Sequence, residues 1–313
     1  MSMGTILVTG GAGFLGSQLV KRLLKEADHI YVIDNLATGN KAAIPTSTKI
    51  TFYEESITNE DLLKDVLPKV DYVFHFACKN LVNSVENVNE DFLTNMYGGY
   101  LLLQHAHQYA QKLKRFVYAS TASVYGDAEI LPTPETYYNI KLPYSASKFS
   151  TEHYAQVYYH LYQLPVVTLR FSNVYGPGQL ITNPYCGVVA KFFEAAEEGE
   201  PLAIFGDGKQ TRDFTFVEDA IEATYIAALD DRSIGGVYNV GTGVETNVLQ
   251  LAKHIQEVTN KKGKLQFLPK RRVDVVTRRR MNIGKIESEL NWRNNHTLIE
   301  GLEKTYKWLK GEY

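Results

Sequence analysis

The sequence predicts an α/β fold, a doubly wound parallel sheet carrying a smaller, discontinuous C-terminal α/β lobe. Three observations point there. Through the first half, short β-branched or aromatic runs alternate with longer helical patterns. A glycine-rich turn stands between the first run and the first helical pattern. Past Gly176 the texture changes to short elements punctuated by glycine and proline, as in NVYGPGQ, PLAIFGDGKQ and GTG. At 313 residues the chain also exceeds the usual single-core size.

In order, ILVT reads as a strand and residues 15–25 as its crossover helix, followed by IYVID and ITFYE. A helix over 60–67 leads to YVFHFA, and one over 89–111 leads to RFVYAS. A further helix over 145–161 and the run VVTLRF complete this series. Such alternation brings successive runs back in parallel, with helices covering both faces. We expect a domain of residues 1–175, completed by about 214–242 through a helix over 217–229 and the strand VYNVG. Residues 176–213 and 243–313 form the expected lobe. No solenoid-period repeat or low-complexity linker is visible.

Composition excludes several classes. With 44% hydrophobic and 22% charged residues, the chain can bury a substantial core. A net charge of −2 gives no general reason to bind nucleic acid or acidic membranes, so any anion site must be local. The six basic residues between Lys270 and Arg280 are interrupted by Asp274 and read mostly as solvated arginines. Cys78 and Cys186 are too few for a disulfide framework and lack metal-ligand spacing, so no metal is expected and a reducing cytoplasm is the simplest compartment. No export signal is read at the start, and no apolar run reaches the roughly 20 residues of a membrane span.

TILVTGGAGFLGSQLV places Gly10, Gly13 and Gly16 between a strand and a helix beginning near Phe14 and Leu15. Glycines let the backbone turn sharply and approach a pyrophosphate, which the free amides of the helix start then meet. Asp34 ends the next strand, 18 positions after Gly16. A carboxylate there accepts hydrogen bonds from the adenosine ribose hydroxyls and repels a 2′-phosphate, favouring NAD over NADP in a Rossmann-type domain. The alternative is a tight turn with a surface aspartate.

TGGAGFLG, YVIDNLATG, YVFHFA, YASTASVYG, PYSASK, RFSNVYGPG and DGKQTRDFTFVEDA together resemble the extended short-chain dehydrogenase/reductase family, specifically its nucleotide-sugar epimerases and dehydratases. The resemblance implies a catalytic set of Thr121, Tyr144 and Lys148. Tyr144 and Lys148 are four residues apart and share a helix face. Alone, the pair would be weak evidence in a chain with 21 tyrosines. To act as a base near neutrality, a phenol of pKa about 10 must drop by roughly 3 units, or about 4 kcal/mol. One charge about 4 Å away supplies on the order of 4 kcal/mol at an effective dielectric of 20, so Lys148 is expected to suffice. Thr121 would hold the same sugar oxygen.

For NAD, the resemblance adds Asn35, Thr38 and Gly39 beyond Asp34, then Phe76, Ala77, Lys79, Asn95 and Phe171. Ser56 stands where related proteins usually have aspartate, and with Ile57 it would line the adenine site. For substrate it implies Asn173, Arg212, and Arg271 with Asp274 in KRRVD; an arginine fork suits phosphate oxygens. Segment 184–193 and PLAIFG would bracket the base.

Dehydratases carry Asp and Glu after the active-site threonine, and uronate decarboxylases a Glu at the second position. Here Ala122 and Ser123 follow. We therefore expect an NAD-dependent 4-epimerase acting on a UDP-hexose, its N-acetyl derivative or its uronate. A dehydratase or decarboxylase, a 3- or 5-epimerase using Cys78 and Lys79 as a proton-transfer pair, and a non-catalytic NAD-binding regulator remain open. Phe149, Tyr154, Val157, Tyr158, Leu161 and Tyr162 give helix 145–161 a broad apolar face, and with helix 89–111 it suggests a homodimer.

Overall fold

A computed structural model describes residues 2–179 and 187–312. The chain opens with β1 (Gly4–Thr9), α1 (Phe14–Leu23), β2 (Ala27–Ile33), β3 (Ile50–Tyr53), α2 (Glu60–Val66) and β4 (Tyr72–His75). Next come α3 (Leu81–Glu86), α4 (Val88–Asp91), α5 (Gly98–Tyr109), β5 (Arg115–Thr121), α6 (Pro143–Tyr162), β6 (Val166–Phe171) and β7 (Asn173–Tyr175). The remainder is α7 (Val188–Glu198), β8 (Leu202–Phe205), β9 (Thr211–Arg212), β10 (Phe214–Phe216), α8 (Val217–Leu229) and β11 (Val237–Val240), then β12 (Thr246–Asn247), α9 (Val248–Thr259), β13 (Leu265–Leu268), α10 (Gly284–Leu290) and α11 (Leu298–Leu309).

Seven strands form one parallel sheet in the order β11-β6-β5-β4-β1-β2-β3. This is the doubly wound arrangement expected. Alternate strand residues feed two apolar layers: Ile6, Val8, Phe74, Val117 and Val167 on one face, and Leu7, Val73, Phe116 and Val166 on the other. Burial on both faces explains why the strands read as continuous apolar runs. The winding reverses between β1 and β4, leaving a crevice at their carboxyl ends where such sheets bind ligands.

Pro143 starts α6 because a first-turn residue needs no amide donor, and Gln163 ends it in the left-handed conformation at φ 56°. The helix expected over 89–111 runs without interruption from Val88 to Tyr109, widened into a π-helical turn over Phe92–Tyr97 between α4 and α5. That turn carries Asn95 inward. Just beyond it Gly98 and Gly99 allow close packing, since added Cβ atoms would lie 2.6 Å from Ile57 and 2.7 Å from Thr151.

Beyond the sheet, β7 pairs with β10, β9 with β12 and β8 with β13, with α7, α9 and α11 packed around them. Fully buried Asp213 ties this region together, accepting from Thr242 N at 2.8 Å, Thr242 Oγ1 at 2.8 Å, Gly243 N at 2.9 Å and Met281 N at 3.1 Å. Among the described residues, no helix is long and apolar enough to cross a membrane.

Candidate active site

The crevice is a cavity of about 470 Å³. Its floor is the turn from β1 into α1. An added Cβ on Gly16 would lie 2.1 Å from the Gly10 oxygen, and one on Gly10, at φ +69°, would lie 2.5 Å from Ala77 N. Only glycine permits both approaches. Gly13 caps α1 without a side-chain acceptor, which leaves the first-turn amides for an anion. Asp34 is 8% exposed and accepts from Ala12 N and Leu36 N, each at 2.9 Å, so it both shapes the loop and faces the cavity. Burial raises its pKa against these amide bonds. The residues present fit a dinucleotide: a phosphate cradle, an acid at the ribose end and an apolar strip of Phe76, Ala77 and Phe171.

Gly10, Gly13, Phe14, Leu15 and Gly16 line this cavity, as do Asp34, Asn35, Thr38 and Gly39. So do Ser56, Ile57, Phe76, Ala77, Lys79 and Phe171. Asn95 does not line it. Buried behind the wall, its side chain accepts from Lys79 N at 2.7 Å and donates to Lys79 O at 3.0 Å and Asp91 Oδ1 at 2.6 Å. It positions the cavity wall from behind.

Thr121, Tyr144 and Lys148 converge on this cavity. Thr121 ends β5 and its hydroxyl accepts from Ser123 N at 3.1 Å. Tyr144 stands in the first turn of α6, half-buried, and Lys148 follows one turn later, 2% exposed, with Nζ 4.4 Å from the Tyr118 ring centroid. In the protein alone, burial opposes the expected acidification of Tyr144 by Lys148. Burial pushes the phenol well above its ordinary pKa, and the neighbouring Cys78 thiol and Asp91 carboxylate add to this, while a Thr121 hydrogen bond opposes it. Burial lowers Lys148, against the pull of Cys78, Glu152 and Asp91. Burial thus works against the lowering that nearby positive charge would bring to the phenol.

The premise of a Cys78–Lys79 pair also changes. Cys78 lies beside Tyr144, whereas the Lys79 ammonium pairs with Glu90 at 2.7 Å. Cys186 and the start of segment 184–193 lie outside the described residues.

A second cavity of about 170 Å³ shares Asn173 with the first and contains Arg212, Arg271 and Asp274. Arg212 donates to Thr211 O at 2.7 Å and Val276 O at 3.1 Å, and burial lowers its pKa. Arg271 forms a two-pronged pair with Asp274 at 2.8 and 3.0 Å. The expectation of mostly solvated arginines holds for Arg271, Arg272, Arg278 and Arg280, which are exposed, Arg278 pairing with Glu245 at 2.5 Å and Arg280 donating to Gly243 O at 2.6 Å; it fails for Arg279, which is 7% exposed and lines the cavity. Sequence reasoning missed Arg279. Its signal was period-two alternation, since Arg279 and Met281 point inward around exposed Arg280, where the segment bridges to Thr133.

Residues 6–241 match the model of the NAD dependent epimerase/dehydratase family. The chain belongs to that family. As a member of the epimerase/dehydratase family it is an enzyme whose cofactor is NAD, and its substrates are nucleotide sugars. A putative UDP-glucose 4-epimerase of Methanocaldococcus jannaschii is 36% identical over 309 residues, covering 97% of this chain and 98% of that protein. A UDP-N-acetyl-alpha-D-glucosaminuronate decarboxylase of Bacillus cytotoxicus is 31% identical, covering 97% of each. A Thermotoga maritima UDP-glucose 4-epimerase solved with UDP-glucose superposes with a TM-score of 0.93 at 34% identity, covering 98% of this chain and 99% of that one. A Thermus thermophilus UDP-glucose 4-epimerase solved with NAD gives 0.90 at 33%, covering 99% and 100%.

Proposed function

We propose that this family member is a nucleotide-sugar 4-epimerase acting on a UDP-linked hexose, N-acetylhexosamine or uronate. The observation that carries the reading is where acids stand. Among the described residues, the carboxylates lining the two cavities are Asp34, Glu55 and Asp274. Asp34 ends β2, three strands from β5, or roughly 14 Å from the Thr121 end. Asp274 is tied to Arg271. Glu55 follows β3, farther still, and Asp91, whose charge reaches Tyr144, is buried outside the cavity and bonded to Ser84, Asn95 and Ser147; Ala122 is buried and Ser123 is no acid, so no cavity-lining carboxylate beside Thr121 and Tyr144 serves elimination or decarboxylation.

Bound in the first cavity, NAD supplies the hydride acceptor for C4 and a second positive charge near the phenol. Tyr144 takes the O4 proton as C4 is oxidised, and Thr121 donates a hydrogen bond to O4. Lys148 stabilises the Tyr144 phenolate that accepts this proton and so becomes a neutral phenol. The 4-keto sugar then presents its other face, hydride returns to C4, and Tyr144 gives the proton back. Net redox change is zero. Arg212, Arg271 and Asn173 hold the diphosphate end, with Asp274 near the nucleotide ribose.

The proposed division into a nucleotide-binding domain, 1–175 with about 214–242, and a substrate lobe, 176–213 with 243–313, is supported by β11 joining the sheet beside β6. A homodimer is supported by α6, where Tyr154, Val157, Leu161 and Tyr162 are exposed. Free Cys78 suits a reducing, cytoplasmic setting. Incubation with UDP-glucose, UDP-N-acetylglucosamine and UDP-glucuronate, followed by proton NMR, tests the reading. C4 epimers are expected, and a dehydrated or decarboxylated product would overturn it.

A further inference from the structure

Arg279 is a buried cation that the proposed reaction has not used. Its Nη2 donates to Gly126 O at 3.1 Å, while its Nε, also buried, has no hydrogen-bond partner among the described residues. The acids nearest it electrostatically are committed elsewhere. Asp127 accepts from Thr277 N at 2.6 Å and Thr277 Oγ1 at 2.9 Å, and Asp213 holds Thr242, Gly243 and Met281. Burial and the like charge of Arg212 pull the guanidinium down to a pKa of about 9. A buried, incompletely bonded guanidinium is costly unless an anion completes it.

Charge counting indicates what that anion is. Lys141, Arg212, Arg271 and Arg279 line the cavity against the single carboxylate of Asp274. A diphosphate brings one negative charge on each phosphate, which leaves one cation over. Arg279 lies near enough to Arg212 to feel its charge, and what distinguishes it is its bond to the turn that follows Thr121. Arg279 bonds the last residue of the turn that begins at Thr121, and Ser123 and Ser145, neighbours of Thr121 and Tyr144, line the same cavity. Arg279 therefore stands on the side of the reacting groups.

Resting on the nucleotide-sugar reading, we propose that the sugar ring of the substrate bears a carboxylate and that Arg279 binds it. A planar guanidinium with a free Nε matches a carboxylate in two-pronged geometry. Arg279 thus selects among sugars and leaves the chemistry at C4 to Thr121, Tyr144 and Lys148.

The test is calorimetric titration of the NAD-loaded protein with UDP, UDP-glucose and UDP-glucuronate, for wild type, Arg279→Lys and Arg279→Gln. The expected result is a wild-type preference for UDP-glucuronate over UDP-glucose of at least about tenfold. Arg279→Gln should erase that preference while leaving UDP affinity within about threefold, and Arg279→Lys should restore it in part. Equal wild-type affinity for the two sugars overturns the proposal, as does a loss in Arg279→Gln shared equally by UDP and both sugars. Failure of UDP itself to bind would sink the UDP-sugar reading and this inference with it.

Discussion

Removing the charge of Glu152 should loosen the frame behind the catalytic helix. Glu152 on α6 and Arg170 on β6 have side chains only 3% and 5% exposed. Arg170 Nη2 donates to Glu152 Oε2 at 2.7 Å, and Nε reaches both carboxylate oxygens at 3.1 Å. The Ser120 hydroxyl donates to the same carboxylate, and Arg170 Nη1 reaches Tyr125 OH at 3.1 Å, which in turn donates to Asn239 on β11 at 2.6 Å. One carboxylate thus connects α6, β5, β6 and β11. Charge centres about 4 Å apart at an effective dielectric of 20 attract by about 4 kcal/mol. Stranding one partner of a buried pair costs about 3–5 kcal/mol. Glu152→Gln should therefore lower the melting midpoint by about 5–8 °C, read by circular dichroism. The double variant Glu152→Leu with Arg170→Met should recover most of the loss, because it leaves no orphaned charge. A single variant melting within about 2 °C of wild type would refute this reasoning.

Gly16→Ala should leave a folded protein that binds NAD on the order of 10–100-fold more weakly, because the new methyl meets backbone atoms of Gly10 and Gly11 that cannot swing aside; unchanged affinity in a fluorescence titration would argue against the phosphate cradle. His75, 1% exposed and bonded to Thr9 Oγ1 at 2.7 Å, is pulled down to a pKa of about 3 by burial and then by Lys148. The unfolded chain takes up this proton near pH 6.5 and the folded one does not, so stability is full above about 6.5 and declines as pH falls toward 3. Denaturant midpoints of His75→Gln should fall less steeply than wild type over that window; parallel acid limbs would count against a neutral buried imidazole. Leu161→Glu, at a residue 67% exposed, should convert a dimer to monomer in sedimentation velocity with little change in melting. A wild-type monomer would remove α6 as an interface.

The dinucleotide cleft was legible in the chain because each of its parts has a local signature: glycines that only a close turn requires, and an acid at a strand end. Thr121, Tyr144 and Lys148 were legible for the same reason, through helical spacing and short motifs. What escaped notice depends on contacts distant in sequence. The π-helical turn over residues 92–97 stands beside the close packing of Gly98 and Gly99 on Ile57 and Thr151. Asn95, expected in the cofactor region, stands behind the cavity wall because its side chain bonds the Lys79 backbone. Burial also raises the Tyr144 phenol, an effect that charge spacing alone does not include. Arg279 looked like one charge in a basic run until Met281 and Asp213 drew its segment inward.

Isotope tracing tests the central claim, hydride removal and return at one carbon, most directly. The UDP-sugar that turns over is deuterated at C4 and its product examined by NMR and mass spectrometry. The account predicts an inverted C4 that keeps its deuterium, with none exchanged into water and no change in mass. Inversion with washout of the label, or a lighter product, would contradict it.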